Sequence, residues 1–127
     1  MRVLIFGGRD FLDWPLLFAF MDEEATHIPI TRVIQGGARG ADTGGAFWAF
    51  CRGIPYETFE ADWKRLGPKA GPLRNQRMID EGKLDYAVGF PGGRGTNDMA
   101  RRLARAKIKW AAVGWMPDFI QQIPTLL

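Results

Sequence analysis

Three apolar runs in this chain break directly into glycine-rich turns, and each turn opens a helical pattern. Val3-Leu4-Ile5-Phe6 runs into Gly7-Gly8-Arg9-Asp10. Arg32-Val33-Ile34 runs into Gly36-Gly37-Ala38-Arg39-Gly40-Ala41-Asp42, and Tyr86 to Phe90 runs into Pro91-Gly92-Gly93-Arg94-Gly95-Thr96. Tyr56 to Glu60 and Lys109 to Val113 add two further strand patterns. Continuous apolar runs suit strands covered on both faces. Strands that alternate with helices build a parallel sheet with helices on both faces. The expected fold is therefore α/β, a single three-layer domain over residues 1–127 with a five-stranded parallel sheet in the order 3-2-1-4-5.

Four helices are expected, at about Trp14 to Ala25, Asp42 to Arg52, Pro72 to Glu81 and Asn97 to Ala106. Asp13 is an N-cap candidate with Pro15 in the first turn. Leu16 to Met21 is apolar all round, so the first helix is expected to bury more than one face, and the surplus is a candidate contact for a homo-oligomer. Gly44 and Gly45 sit inside the second helix, where glycine costs stability unless something approaches closely. Ala61 to Gly71 reads as irregular and long, which favours a lid or binding loop. The tail, Pro117 to Leu127, is expected to form one short turn of helix.

In such a sheet, ligands bind at the carboxyl ends of the strands where the strand order reverses. That point falls between the first and fourth strands. The turns at Gly7 and Pro91 meet there, the turn at Gly36 lies next door, and the helix at Pro72 brings Arg74 and Asn75 over the same crevice. A helix start offers free N–H groups and the positive end of its dipole, which bind anions. Arginine adds a fork that fits phosphate. Gly92, Gly93, Gly95 and Thr96 are therefore expected to hold a phosphate, with Arg74 and Arg94 pairing its charge. Gly7, Gly8, Gly36 and Gly37 are expected to let the ligand lie against the sheet edge, flanked by Arg9 and Arg39. Asp10 and Asp42 either cap helices or accept hydrogen bonds from sugar hydroxyls. Trp63 reads as core in preference to a stacking platform, because aromatics bury large areas. Arg101, Arg102 and Arg105 read as a solvated helix face.

Composition removes several alternatives. The 127 residues carry a formal net charge of +3, a mild excess that suits an anionic ligand. There is no serine, so a serine nucleophile is excluded. One cysteine, Cys51, and one histidine, His27, cannot form an internal disulfide or an ordinary zinc site, so no metal and no cofactor are expected. Cys51 reads as a small core residue. Met1 to Gly8 is too short and glycine-rich for a signal peptide, and no apolar run approaches a membrane span. A cytoplasmic protein with no membrane partner is expected. The G-x-G-x-x-G and P-loop spacings are both absent.

The three turns, together with Asp62-Trp63, Ala70-Gly71 and Arg74-Asn75, resemble the DUF2493 group, the YspA-like branch of the SLOG superfamily. That superfamily also holds the LOG-type phosphoribohydrolases and the DprA/Smf proteins. The resemblance implies a Rossmann-like nucleotide-binding domain that takes a nucleotide or nucleotide derivative as a sensor or processing module. LOG-type enzymes cleave the N-glycosidic bond of nucleoside 5′-monophosphates and carry P-G-G-x-G-T-x-x-E with an upstream R-K-x-x-M. Here Arg74-Asn75-Gln76-Arg77-Met78 keeps the arginine and methionine, and Pro91 to Thr96 keeps the phosphate turn. Met99 stands where those enzymes place glutamate, and a thioether cannot stabilise an oxocarbenium-like transition state or position water. If the chain is an enzyme, its catalytic candidates are Asp10, Asp42, Asp98 and Arg74. The DprA link adds single-stranded DNA binding as a third reading, ranked last because few aromatics fall near the crevice.

Overall fold

The computed structural model describes residues 1–120. Its centre is β1 (Arg2–Phe6), flanked by β2 (Arg32–Gln35) and β4 (Tyr86–Gly89), with β3 (Tyr56–Thr58) and β5 (Trp110–Ala112) at the edges. All neighbours run parallel, in the order β3-β2-β1-β4-β5, as expected. Val3, Leu4 and Ile5 are wholly buried because both faces of β1 are covered. Successive side chains alternate between faces. Val3 and Ile5 accordingly join Leu17, Met21, Trp48 and Phe90 on one side. Leu4 and Phe6 join Ile34, Met78, Met99 and Leu103 on the other. The first cluster lies under α1 (Trp14–His27) and α2 (Ala41–Cys51), the second under α4 (Ala70–Glu81) and α5 (Arg94–Arg105). This is a Rossmann-like three-layer arrangement.

α1 starts as its sequence dictates, with the Asp13 carboxylate accepting from the Leu16 N–H at 3.2 Å and Pro15 in the first turn. Only Leu17 and Met21 are fully buried on it, so the expectation of several buried faces is corrected. Phe18 and Phe20 are half-buried, and Leu16 stays exposed. Asp22 ties α1 to α2 by accepting from Arg52 Nε and Nη2 and from Trp48 Nε1. Those bonds, Arg52's first, hold its carboxyl down at about 2.

The glycine pair in α2 is explained by side chains. A Cβ at Gly45 would stand 2.8 Å from Ile5 Cγ2, and one at Gly44 would stand 2.7 Å from Trp14 Nε1. The helix could not press onto β1 and α1 otherwise. Cys51 is exposed, which corrects its reading as core. The buried face of α2 is set by Ala41, Gly45, Trp48 and Ala49, and position 51 falls outside that stripe.

The Ala61–Gly71 stretch is shorter and more ordered than expected. It folds into α3 (Trp63–Leu66), capped by Asp62, then a 3-10 turn at Gly67–Lys69 that runs into α4 at Ala70. α5 likewise begins three residues before the expected Asn97, at Arg94. Residues 117–120 close one turn, Ile120 N–H to the Pro117 carbonyl at 3.2 Å, and the rest of the expected tail helix lies outside the described residues. Among the described residues no helix is long and apolar enough to cross a membrane.

Candidate functional site

Three turns are fastened together at the carboxyl edge of the sheet. Gly8 N–H donates to the Pro91 carbonyl at 3.0 Å, and the Gly8 carbonyl accepts from Ala41 N–H at 3.1 Å. No side chain fits between these strands of backbone. A Cβ at Gly8 would lie 2.7 Å from the Pro91 oxygen, and one at Gly92 would lie 2.6 Å from the Gly8 nitrogen. Gly40, at φ +81°, would collide with the Gly8 carbonyl at 2.2 Å. These glycines exist so that turn can touch turn.

Gly93 and Gly95 differ. Nothing stands within 4 Å of a Cβ built at either. They begin α5, whose first intrahelical bond is Asn97 N–H to the Gly93 carbonyl at 3.0 Å. The N–H groups of Arg94, Gly95 and Thr96 precede that bond and have no acceptor within the helix. Thr96 is buried, and its hydroxyl has no hydrogen-bond partner among the described residues.

This first turn opens into a cavity of about 1030 Å³. Gly7, Gly8 and Arg9 line it from the turn after β1, Asp42 from α2, Arg74 and Asn75 from α4, Gly93 from the N-cap of α5, and Arg94, Gly95, Thr96 and Asp98 from α5 itself. Most of the residues singled out in the sequence therefore meet. Gly36, Gly37 and Gly92 do not reach the lining. Gly36 is buried behind Arg74, and Gly37, at φ +76°, turns toward Thr58 of β3. Asp10 and Arg39 also lie outside it, paired with each other on the surface at 3.3 Å.

Arg74 is spoken for. Its Nη1 donates to the Gly36 carbonyl and, at 3.5 Å, to the Phe59 carbonyl, while its Nε donates to Asn75 Oδ1 at 3.1 Å. Burial lowers its pKa and the facing Asp42 opposes that. The Asn75 amide in turn donates to the Gly95 carbonyl at 3.3 Å and to Asp98 Oδ2 at 3.0 Å. Asn75 thus pins the first turn of α5 to α4.

Two of the cavity's carboxyls, Asp42 and Asp98, are shifted in opposite directions. Asp42 is buried and caps the Ala38 N–H at 3.2 Å. Burial pushes its carboxyl up to about 6, against the pull of the Ala38 N–H and of Arg74. Asp98 is pushed up by partial burial, but the bonds from Arg102 and Asn75 outweigh that and hold it below the usual carboxylate range. Arg102 reaches Asp98 at 2.8 Å and Gln76 at 2.8 Å, and Arg101 pairs with Asp118 at 2.6 Å. Those two arginines therefore tie α5 to its surroundings, which corrects their reading as a solvated face; Arg105 is exposed. Arg9 and Arg94, by contrast, are exposed at the cavity and have no carboxylate partner among the described residues.

Met99 is buried among Phe6, Met78 and Leu103 on the cavity floor. The sequence reading missed Trp63, Arg101 and Asp118 as lining residues. Asp62 was the available signal for Trp63: an N-cap residue makes the following position the start of a helix rather than an arbitrary loop point. Among the described residues no group of three or more His, Cys, Asp or Glu side chains stands together as a metal site.

Comparison with known proteins places these features in context. The family model described as YspA, cpYpsA-related SLOG family matches residues 1–66. The Gene 61 protein of Mycobacterium phage D29 is 38% identical over 117 residues, covering 84% of this chain and 91% of that protein.

Proposed function

Because the chain belongs to the YspA- and cpYpsA-related SLOG family, we propose that its cavity binds a nucleotide or nucleotide-derived ligand through a phosphate held at the first turn of α5. One observation carries this reading. The N–H groups of Arg94, Gly95 and Thr96, which have no acceptor within the helix, open into a cavity where Arg9 and Arg94 have no carboxylate partner among the described residues. Helix N-terminal N–H groups and free arginines both favour an anion, and a phosphate can take both. Gly93 and Gly95 leave its approach clear of side chains. Thr96 adds a hydroxyl donor. Arg74, engaged by the Gly36 and Phe59 carbonyls, holds the wall instead of the ligand.

The test is a thermal-shift titration with nucleoside monophosphates and ADP-ribose-like compounds on the wild type and Arg94→Ala. A ligand at a hundred times its Kd raises stability by about 2.7 kcal/mol, roughly 8–10 °C in a domain of this size. The expected result is such a rise in the wild type and a smaller one in the variant. No rise with any phosphate ligand overturns the proposal.

A second reading has its own support. Two carboxyls whose surroundings push their pKa values apart suit acid and base roles. Asp42 and Asp98 are such a pair in one cavity, so hydrolysis of the N-glycosidic bond, with water adding across it, is the catalytic alternative. Met99 supplies nothing to that chemistry. Release of free base from bound monophosphates, abolished by Asp42→Asn, is the expected sign; a ligand that binds without release excludes it.

A further inference from the structure

Trp63 is the exposed tryptophan of this protein, at 45% exposure, while Trp14, Trp110 and Trp115 are half-buried and Trp48 is fully enclosed. A side chain of that size ordinarily goes inside. Nothing about α3 forces it out for the sake of packing. The helix is four residues long and buries none of its side chains. The indole N–H has no hydrogen-bond partner among the described residues, unlike those of Trp14, Trp48 and Trp115.

The ring is nonetheless seated. Its far edge rests on the first turn of α4, where a Cβ at Gly71 would stand 3.0 Å from Cη2. Its face is covered by one group, the Arg9 guanidinium, at 4.9 Å from the ring centroid. Both residues line the same cavity as the first turn of α5. An exposed cation–π contact is weak, whereas a nucleobase stacked on an aromatic ring is held several-fold more firmly. Arg9 also has an anion to go to if a ligand brings one, since no carboxylate pairs with it among the described residues.

We infer that the face of Trp63 is the seat of a planar heteroaromatic ring in the ligand, and that Arg9 occupies that seat until the ring displaces it. This rests on the phosphate reading of the α5 turn and narrows it. The ligand carries both an anionic group and a flat base, so a nucleotide is selected over a sugar phosphate. Specificity for having a base at all is assigned to Trp63, and the Arg9 contact is the competitor that a base must outbid.

The experiment is calorimetric titration of the full chain with AMP, GMP, CMP and UMP, and in parallel with ribose 5-phosphate. The proteins are the wild type, Trp63→Leu and Trp63→Phe. The expected result is that the best monophosphate binds the wild type about tenfold or more tightly than ribose 5-phosphate. Trp63→Leu brings that monophosphate down to the ribose 5-phosphate level without changing ribose 5-phosphate itself, and Trp63→Phe restores most of the difference. Loss of ribose 5-phosphate binding along with the monophosphate marks a structural role and overturns the stacking inference. So does a Trp63→Leu protein that binds monophosphates normally. In both cases the phosphate reading stands. If no compound binds the wild type, the phosphate reading itself fails and the inference falls with it.

Discussion

Two sets of glycines stand at the carboxyl edge of the sheet, and they do different work. Gly8, Gly40 and Gly92 are in contact with backbone, so a methyl group at any of them would occupy space already filled. Gly93 and Gly95 face open space. The first set is the reason the cavity has a rigid back wall. The second is the reason something can reach the helix behind it. Glycines of one edge thus divide into those the fold requires and those with open space before them, and the division follows from what a Cβ would meet.

That contrast can be broken by substitution. The largest effect is expected at Gly40→Ala, which adds a positive-φ penalty to a clash with the Gly8 carbonyl. A loss of about 3 kcal/mol, roughly 10 °C in Tm, is anticipated for overpacking of this kind. A shift under 2 °C in calorimetry would mean that the turns are not fastened as described.

Asp42 tests the same wall through pH. Its folded pKa of about 6 lies above the unfolded value of 3.8. Between those values the folded protein keeps a proton that the unfolded chain has released, so this group's contribution is full below pH 4 and is lost as pH rises through 6. Denaturant titrations should show Asp42→Asn flattening the fall over that window, by at most about 3 kcal/mol. An unchanged slope would place Asp42 in a more hydrated site.

Asn75→Ala should cost less, about 1–2 kcal/mol, by releasing the Gly95 carbonyl, Asp98 and Arg74 together. Hydrogen exchange at the first turn of α5 should rise in parallel; without that rise, Asn75 is not what pins it. The smallest effect belongs to the open set. Gly95→Ala lies in a helical position with free space around it, so stability should rise by about 0.5–1 kcal/mol. A loss comparable to that of Gly40→Ala would erase the distinction between the two sets.

The sheet was legible because its signals are local. Val3–Phe6 is apolar at every position, and only a strand covered on both faces needs that. The meeting of Gly7, Asp42, Arg74 and Gly95 followed from topology alone. What stayed hidden depended on partners distant in the chain. Asp10 and Arg39 sit in suggestive turns, but they find each other on the surface. Cys51 lies in an apolar stretch yet on its outer side, with Phe50 beside it at 71% exposure. Trp63 reads as core by residue type, but it stands on a four-residue helix that buries none of its side chains. Arg102 looked solvated until Asp98 and Gln76 were seen to claim it.

Arg9 and Arg94, exposed at the cavity, have one more consequence. Two exposed arginines with no ion-pair partner among the described residues favour anions at the cavity, so the ligand proposed above would compete there with chloride or phosphate from the buffer. Its apparent affinity is then a function of ionic strength, because the screening length shrinks from about 10 Å at 0.1 M salt to 3 Å at 1 M. For a ligand held as proposed, occupancy would follow the salt of the surroundings as well as the supply of the ligand.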